Sequence, residues 1–186
     1  MRLRRASSLL SLLLSTALVA VGSPASAATK TFVDAKGDAP FDVDIRKVKV
    51  VHGKKAVRIV VRVQDLVLDE FGLAPESSVF IDTKKSKRGP EYMVGTGGYH
   101  AYFFAVKNWK LLSFPDDPYG DITCGWKLAE SESADLLTYQ VPRSCLGNPS
   151  RIRVSVVIRS YDQDGNTVSS DKSPAYRKFH GWVRRG

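Results

Sequence analysis

Cysteine is nearly missing from this chain: 186 residues hold two, along with two methionines and three histidines. The cysteines make no C-x-x-C pair, and His52, His100 and His180 stand at no metal-ligand spacing, so a thiolate or imidazole metal centre is not expected. There is no G-x-S-x-G elbow to activate a serine. The run Gly95-Thr96-Gly97-Gly98 leads into a strand, whereas a phosphate cradle needs a helix amino terminus behind it. No window of ten or more residues carries a convincing helical period. Hydrophobic content of 43% and charged content of 25% are ordinary globular values, which excludes a disordered or collagen-like chain.

Met1–Arg5 carries three arginines, Leu9–Val21 is a mainly apolar run, and Ser23-Pro24-Ala25-Ser26-Ala27 supplies an A-x-A site. That order is the order of a secretory signal, with cleavage expected after Ala27. The apolar run is shorter than the ~20 residues that span a bilayer, and no later segment approaches that length, so no transmembrane segment is expected. Residues 28–186 then form one domain, long enough to bury about 70% of the surface its unfolded chain exposes. Loss of Arg2, Arg4 and Arg5 lowers the formal net charge from +9 to +6. Export into an oxidising space makes Cys124 and Cys145 one disulfide. Its loop is worth about 3 kcal/mol on the chain-entropy model.

Apolar and polar residues alternate through the rest of the chain. Val57, Ile59, Val61 and Val63 share one face of 56–63, with Arg58 and Arg62 opposite. In 151–159, Ile152, Val154, Val156 and Ile158 oppose Arg151, Arg153 and Arg159. This period of two marks half-buried strands whose arginines meet water. Further strands are expected at 45–51, 78–82, 91–94, 99–106, 109–114, 122–128 and 136–141, separated by Gly, Pro and Asp turns. Eight or nine short strands predict an all-β, two-sheet antiparallel sandwich of jelly-roll type. The basic end, 173–186, carries Tyr176, Phe179 and Trp182, which predicts that part of it packs as a last strand.

Three sets of residues offer chemistry. Asp34, Asp38, Asp42 and Asp44 stand close together on a Gly/Pro loop and provide part of an oxygen shell for a hard cation; the metal ligands expected are Asp34, Asp38 and Asp44, with calcium as the ion. The competing reading is a solvated loop whose carboxylates cap turns and neutralise Lys36, Arg46 and Lys47. Asp162-Gln163-Asp164-Gly165-Asn166 also resembles the start of a calcium loop, but Asp-Gly is a hairpin-turn signal. Aromatic residues crowd 99–126. Trp109, Tyr119 and Trp126 are candidates for a sugar-stacking platform, against the alternative that such rings fill the core. Finally, residues 143–186 hold nine Lys plus Arg against Asp162, Asp164 and Asp171, a local excess that suits an anionic surface.

The residues Asp34-x-x-Gly37-Asp38, Asp44-Ile45, Val79-Phe80-Ile81-Asp82-Thr83, Gly89-Pro90-Glu91-Tyr92 and Val141-Pro142-Arg143-Ser144-Cys145-Leu146-Gly147 carry a resemblance over roughly 32–160. The chain resembles secreted actinobacterial domains of largely unassigned role, similar in outline to the family 9 carbohydrate-binding-module-like and DOMON-like β-sandwiches. The resemblance implies a non-catalytic sandwich, in some cases with structural calcium and in others sugar-binding. The expected function is a secreted, monomeric binding module for a polysaccharide or an anionic cell-envelope surface. Nucleic acid is not expected, since no recognition motif is present. A small secreted hydrolase, with Glu70, Glu76, Glu91, Glu130 and Glu132 as carboxylate candidates, is the alternative class; an extracellular protein-binding or inhibitor domain is another.

Overall fold

A computed structural model describes residues 27–40, 42–68, 75–97, 100–112, 122–162 and 164–186. The expected signal therefore lies outside the described residues except for Ala27, and so do Tyr119 and Glu70. The described chain is all-β. Its strands are β1 (Ala28–Val33), β2 (Ile45–His52), β3 (Ala56–Val63), β4 (Glu76–Asp82), β5 (Tyr92–Gly97), β6 (His100–Lys107), β7 (Lys110–Leu111), β8 (Lys127–Ser131), β9 (Leu136–Pro142), β10 (Arg151–Tyr161), β11 (Thr167–Ser173) and β12 (Val183–Arg184). Twelve strands replace the eight or nine expected. Among the additions, β1 and β11 are polar edge strands that carry no apolar alternation.

Two antiparallel sheets result. One runs β1-β2-β3-β9-β8; the other runs β11-β10-β4-β5-β6-β7, with β12 joined to β10. The alternation read from the sequence sets which side of each strand faces inward. Val57, Ile59 and Val61 of β3, Leu137, Tyr139 and Val141 of β9, Val79 and Ile81 of β4, and Ile152, Val154 and Ile158 of β10 are all fully buried in one core between the sheets. Each such aliphatic side chain contributes about 1.5–3 kcal/mol of transfer free energy. A Ser77–Tyr139 hydroxyl contact crosses from one sheet to the other inside this core, satisfying both polar groups there.

Two expected strands and one expected open face are corrected. The segment expected at 122–128 becomes strand only from Lys127, because Gly125 turns at φ +69° and Cys124 is held to Cys145. The disulfide, with Cα atoms 6.0 Å apart, ties the approach to the β8–β9 hairpin to the 3-10 turn Arg143–Leu146 that follows it. The strand expected from Trp109 shrinks to β7, since Asn108 and Trp109 form a left-handed turn at φ +51° and +68°. The arginines of β10 do not line an open face: Arg153 pairs with Asp82, Arg159 pairs with Glu76, and the chain end lies over Arg151 and Arg153. The aromatic tail packs as expected, with Val183 buried in β12, while Tyr176 stays exposed.

Candidate functional site

The acidic loop comes together, and it gains a member from the other sheet. One oxygen each of Asp38, Asp44 and Asp171 lies within 4.8 Å of the other two. Asp44 precedes β2 and is fully buried; Asp38 sits exposed in the β1–β2 connection; Asp171 comes from β11. Backbone amides fix the arrangement. Gly37 N–H donates to Asp44 Oδ2 at 2.9 Å, Ile45 N–H to Asp171 Oδ2 at 2.7 Å, and Lys172 N–H to Asp171 Oδ1 at 2.5 Å. Arg46, 3.3 Å from Asp44 Oδ2, is the one ion-pair partner of the group among the described residues. Asp44 Oδ1 is buried with no donor, and so is Asp34 Oδ2.

Carboxylates crowded in this way repel one another, and the titration directions report it. Burial, then the charge of Asp171 and further that of Asp38, push Asp34 up to about 6, against an opposing hydrogen bond from Ser173. Asp171 is raised first by burial and further by Asp38 and Asp44, although the two amide donors hold it down. Of the three ligands expected from sequence, Asp38 and Asp44 sit in the cluster and Asp34 stands beside it. Asp171, 127 positions beyond Asp44, was invisible to spacing arguments; its membership depends on β11 lying against β2.

A second feature occupies the far side of the β11-to-β7 sheet. A cleft of about 530 Å³ is lined by Arg88, Gly89, Asn108, Trp109, Arg153, Arg177, Lys178 and Phe179. Among the described residues its wall holds four cations and no carboxylate. Trp109 lies against Phe80 at 5.1 Å between centroids and stacks on Phe179 at 4.8 Å. Arg153 sits between Phe179 and Trp182, 4.5 and 4.7 Å from their ring centres, and Arg151 lies 5.1 Å from Trp182 on the same ladder. Cation–π contacts of this kind are worth about 0.5–1 kcal/mol each at partly exposed sites.

The local sequence explains the cleft's shape. A bulky residue at positive φ is an outlier, and such residues persist only where neighbours hold them. Here Gly89 allows the approach: at φ +82°, a Cβ on it would fall 2.9 Å from Asn108 Cα and 3.3 Å from the indole of Trp109. Arg153 is paired with a counter-charge, because its Nη2 lies 2.6 Å from the buried Asp82. Arg88, Arg177 and Lys178 are exposed and have no carboxylate within ion-pair distance among the described residues. A neighbouring cleft of about 690 Å³ shares Arg88 and Asn108 and adds Lys87 and Lys107 beside the single carboxylate Glu91, so the net-basic surface is elongated.

The other candidates fall elsewhere. Trp126 packs against the core, its ring 6.3 Å from Phe103, so it is apart from Trp109 and does not form a platform with it. Phe103 is fully buried, whereas Tyr102 and Phe104 stack on the opposite face at 5.0 Å. Asp162 accepts from the amides of Asp164 and Asn166, the bonding of a hairpin turn. Glu76 is bound to Arg159 and Tyr161, Glu91 to Thr83, and Glu132 accepts from the Leu68 amide. Ser173 and His180 lie 3.1 Å apart, but the serine is fully buried and presents no hydroxyl to a substrate. Sequence reasoning marked the basic, aromatic chain end without finding its partners Arg153, Gly89 and Arg88, which arrive from two other segments. No family model matches the chain, and no curated protein shows significant similarity to it.

Proposed function

We propose that this chain is a secreted, non-catalytic β-sandwich module that binds an anionic, sugar-containing polymer of the cell envelope. The observation that carries the reading is the cleft beside Trp109, walled by Arg88, Arg153, Arg177 and Lys178 with no acidic residue among the described residues that line it. A concave surface of one charge sign focuses the field and raises the local concentration of oppositely charged ligand. Guanidinium groups add a fork that matches carboxylate and phosphate oxygens. The aromatic faces argue for charge over stacking, because Trp109 already lies against Phe80 and Phe179, and Trp182 against Arg151 and Arg153. Continuity with the second basic cleft favours a polymer over a small anion.

The test is retention of the protein on three matrices across a salt series: whole cell walls, walls stripped of their anionic polymers, and cellulose. Binding to whole walls that falls steeply with salt, with little binding to the other two, supports the reading, since exposed charges are screened beyond about 10 Å at 0.1 M salt. Equal retention on cellulose would replace it with neutral-sugar binding, and no retention on any matrix would overturn it.

A further inference from the structure

We propose that Asp38, Asp44 and Asp171, with Asp34 beside them, form a calcium site that clasps the β1–β2 connection to β11 of the opposite sheet. This inference is independent of the basic cleft. Three observations carry it. The first is distance: oxygens on opposite sides of a calcium ion at 2.3–2.6 Å are separated by about 4.6–5.2 Å, and those of the three aspartates all fall within 4.8 Å of one another. Magnesium usually keeps several waters and takes one or two carboxylates, so a set of three favours calcium.

The second is an unmet need inside the fold. Asp44 is fully buried, and its Oδ1 has no donor, although its Oδ2 is engaged by Gly37 and Arg46. A buried carboxylate oxygen without a partner is costly, and oxygens of Asp38 and Asp171 lie within 4.8 Å of this carboxylate. Asp34 Oδ2 is in the same condition. A divalent cation among Asp38, Asp44 and Asp171 offsets the repulsion of these acids, whose one ion-pair partner among the described residues is Arg46.

The third is architecture. The amides of Gly37, Ile45 and Lys172 hold Asp44 and Asp171 in place before any ion arrives, so little ordering remains to oppose binding. These anchors come from both sheets, and an ion held between them resists separation of β2 from β11. Water and backbone carbonyls complete the six to eight oxygens that calcium takes.

The protein, purified without its N-terminal 27 residues and freed of metal by chelator, is titrated with CaCl2 in a calorimeter and melted with and without the ion. Calcium binding at one site, a midpoint that rises with calcium concentration, and a much smaller response to MgCl2 are expected. Asp171→Asn keeps the shape and one acceptor oxygen and is expected to weaken calcium binding at least tenfold. Asp38 is exposed, so Asp38→Asn, which leaves the fold intact, serves as the second variant should Asp171→Asn fail to fold; the same direction of change is expected. No heat of calcium binding together with a chelator-insensitive midpoint, an equal response to magnesium, or wild-type calcium affinity in Asp38→Asn would each overturn the assignment.

Discussion

Replacing Arg153 by methionine strips the charge from the hub of the aromatic ladder while retaining the aliphatic stem that packs there. Asp82 is fully buried, and its Oδ2 accepts from Arg153 Nε at 2.7 Å while Oδ1 accepts from the Lys84 amide at 2.9 Å. Without the guanidinium, a buried carboxylate keeps one donor and no counter-charge. Breaking such a pair costs about 3–5 kcal/mol when both groups are buried. The arginine side chain is 28% exposed, so water replaces part of what is lost and the charge contribution falls to about 3 kcal/mol. Loss of the contacts to Phe179 and Trp182 adds about 0.5–1 kcal/mol each, giving roughly 4 kcal/mol in all. Urea unfolding followed by tryptophan fluorescence measures it. Adding Asp82→Asn to the same chain removes the stranded charge and is expected to recover about 1–2 kcal/mol. A loss under about 1 kcal/mol for the single variant, or no recovery in the double one, refutes the argument that Arg153 compensates a buried charge.

Other predictions follow from separate parts of the fold. Replacing Cys124 and Cys145 together by alanine frees a 21-residue separation and is expected to cost about 3 kcal/mol in the same unfolding assay, with anion binding retained. Gly89→Ala forces a Cβ into Asn108 at positive φ and is expected to cost about 2 kcal/mol and to weaken polymer retention, because it pushes on the Trp109 wall. His180, stacked on Phe32 at 4.4 Å, is held down to about 4 by burial. The folded chain therefore binds this proton less readily than the unfolded one, so its stabilising effect is complete above pH 6.5 and is lost as pH falls toward 4, by at most about 3 kcal/mol. Unfolding free energies for wild type and His180→Gln across that window check it; identical slopes would sink the assignment to His180.

What was legible in the sequence was whatever repeats along a strand. The alternation of Val57 to Val63 and of Ile152 to Ile158 announced both the strand and the buried face, because a core on one side demands it. Thr167–Ser173 and Ala28–Val33 carried no such signal: they are edge strands, and polar residues there satisfy the pleat equally well. The acidic loop was visible as a local cluster, yet its decisive partner Asp171 is contributed by a strand on the other sheet. Likewise, Phe179 and Trp182 stood out as unusual for a chain end, while the arginines they stack upon read only as the polar half of an alternating strand. Trp109 was expected on a strand; the left-handed turn that puts it in the cleft depends on Gly89, a residue nineteen or twenty positions from the turn and unremarkable by itself.

The measurement closest to the central claim is an equilibrium titration of the wild-type protein and of Arg88→Gln/Arg177→Gln/Lys178→Gln with a soluble poly(glycerol phosphate) and with a soluble polyuronate. All three residues are exposed, so the variant is expected to melt within a few degrees of the wild type. The account predicts at least a tenfold loss of affinity for whichever anionic polymer binds, and a shallower dependence on salt. Unchanged affinity in the triple variant, with the fold intact, would contradict it.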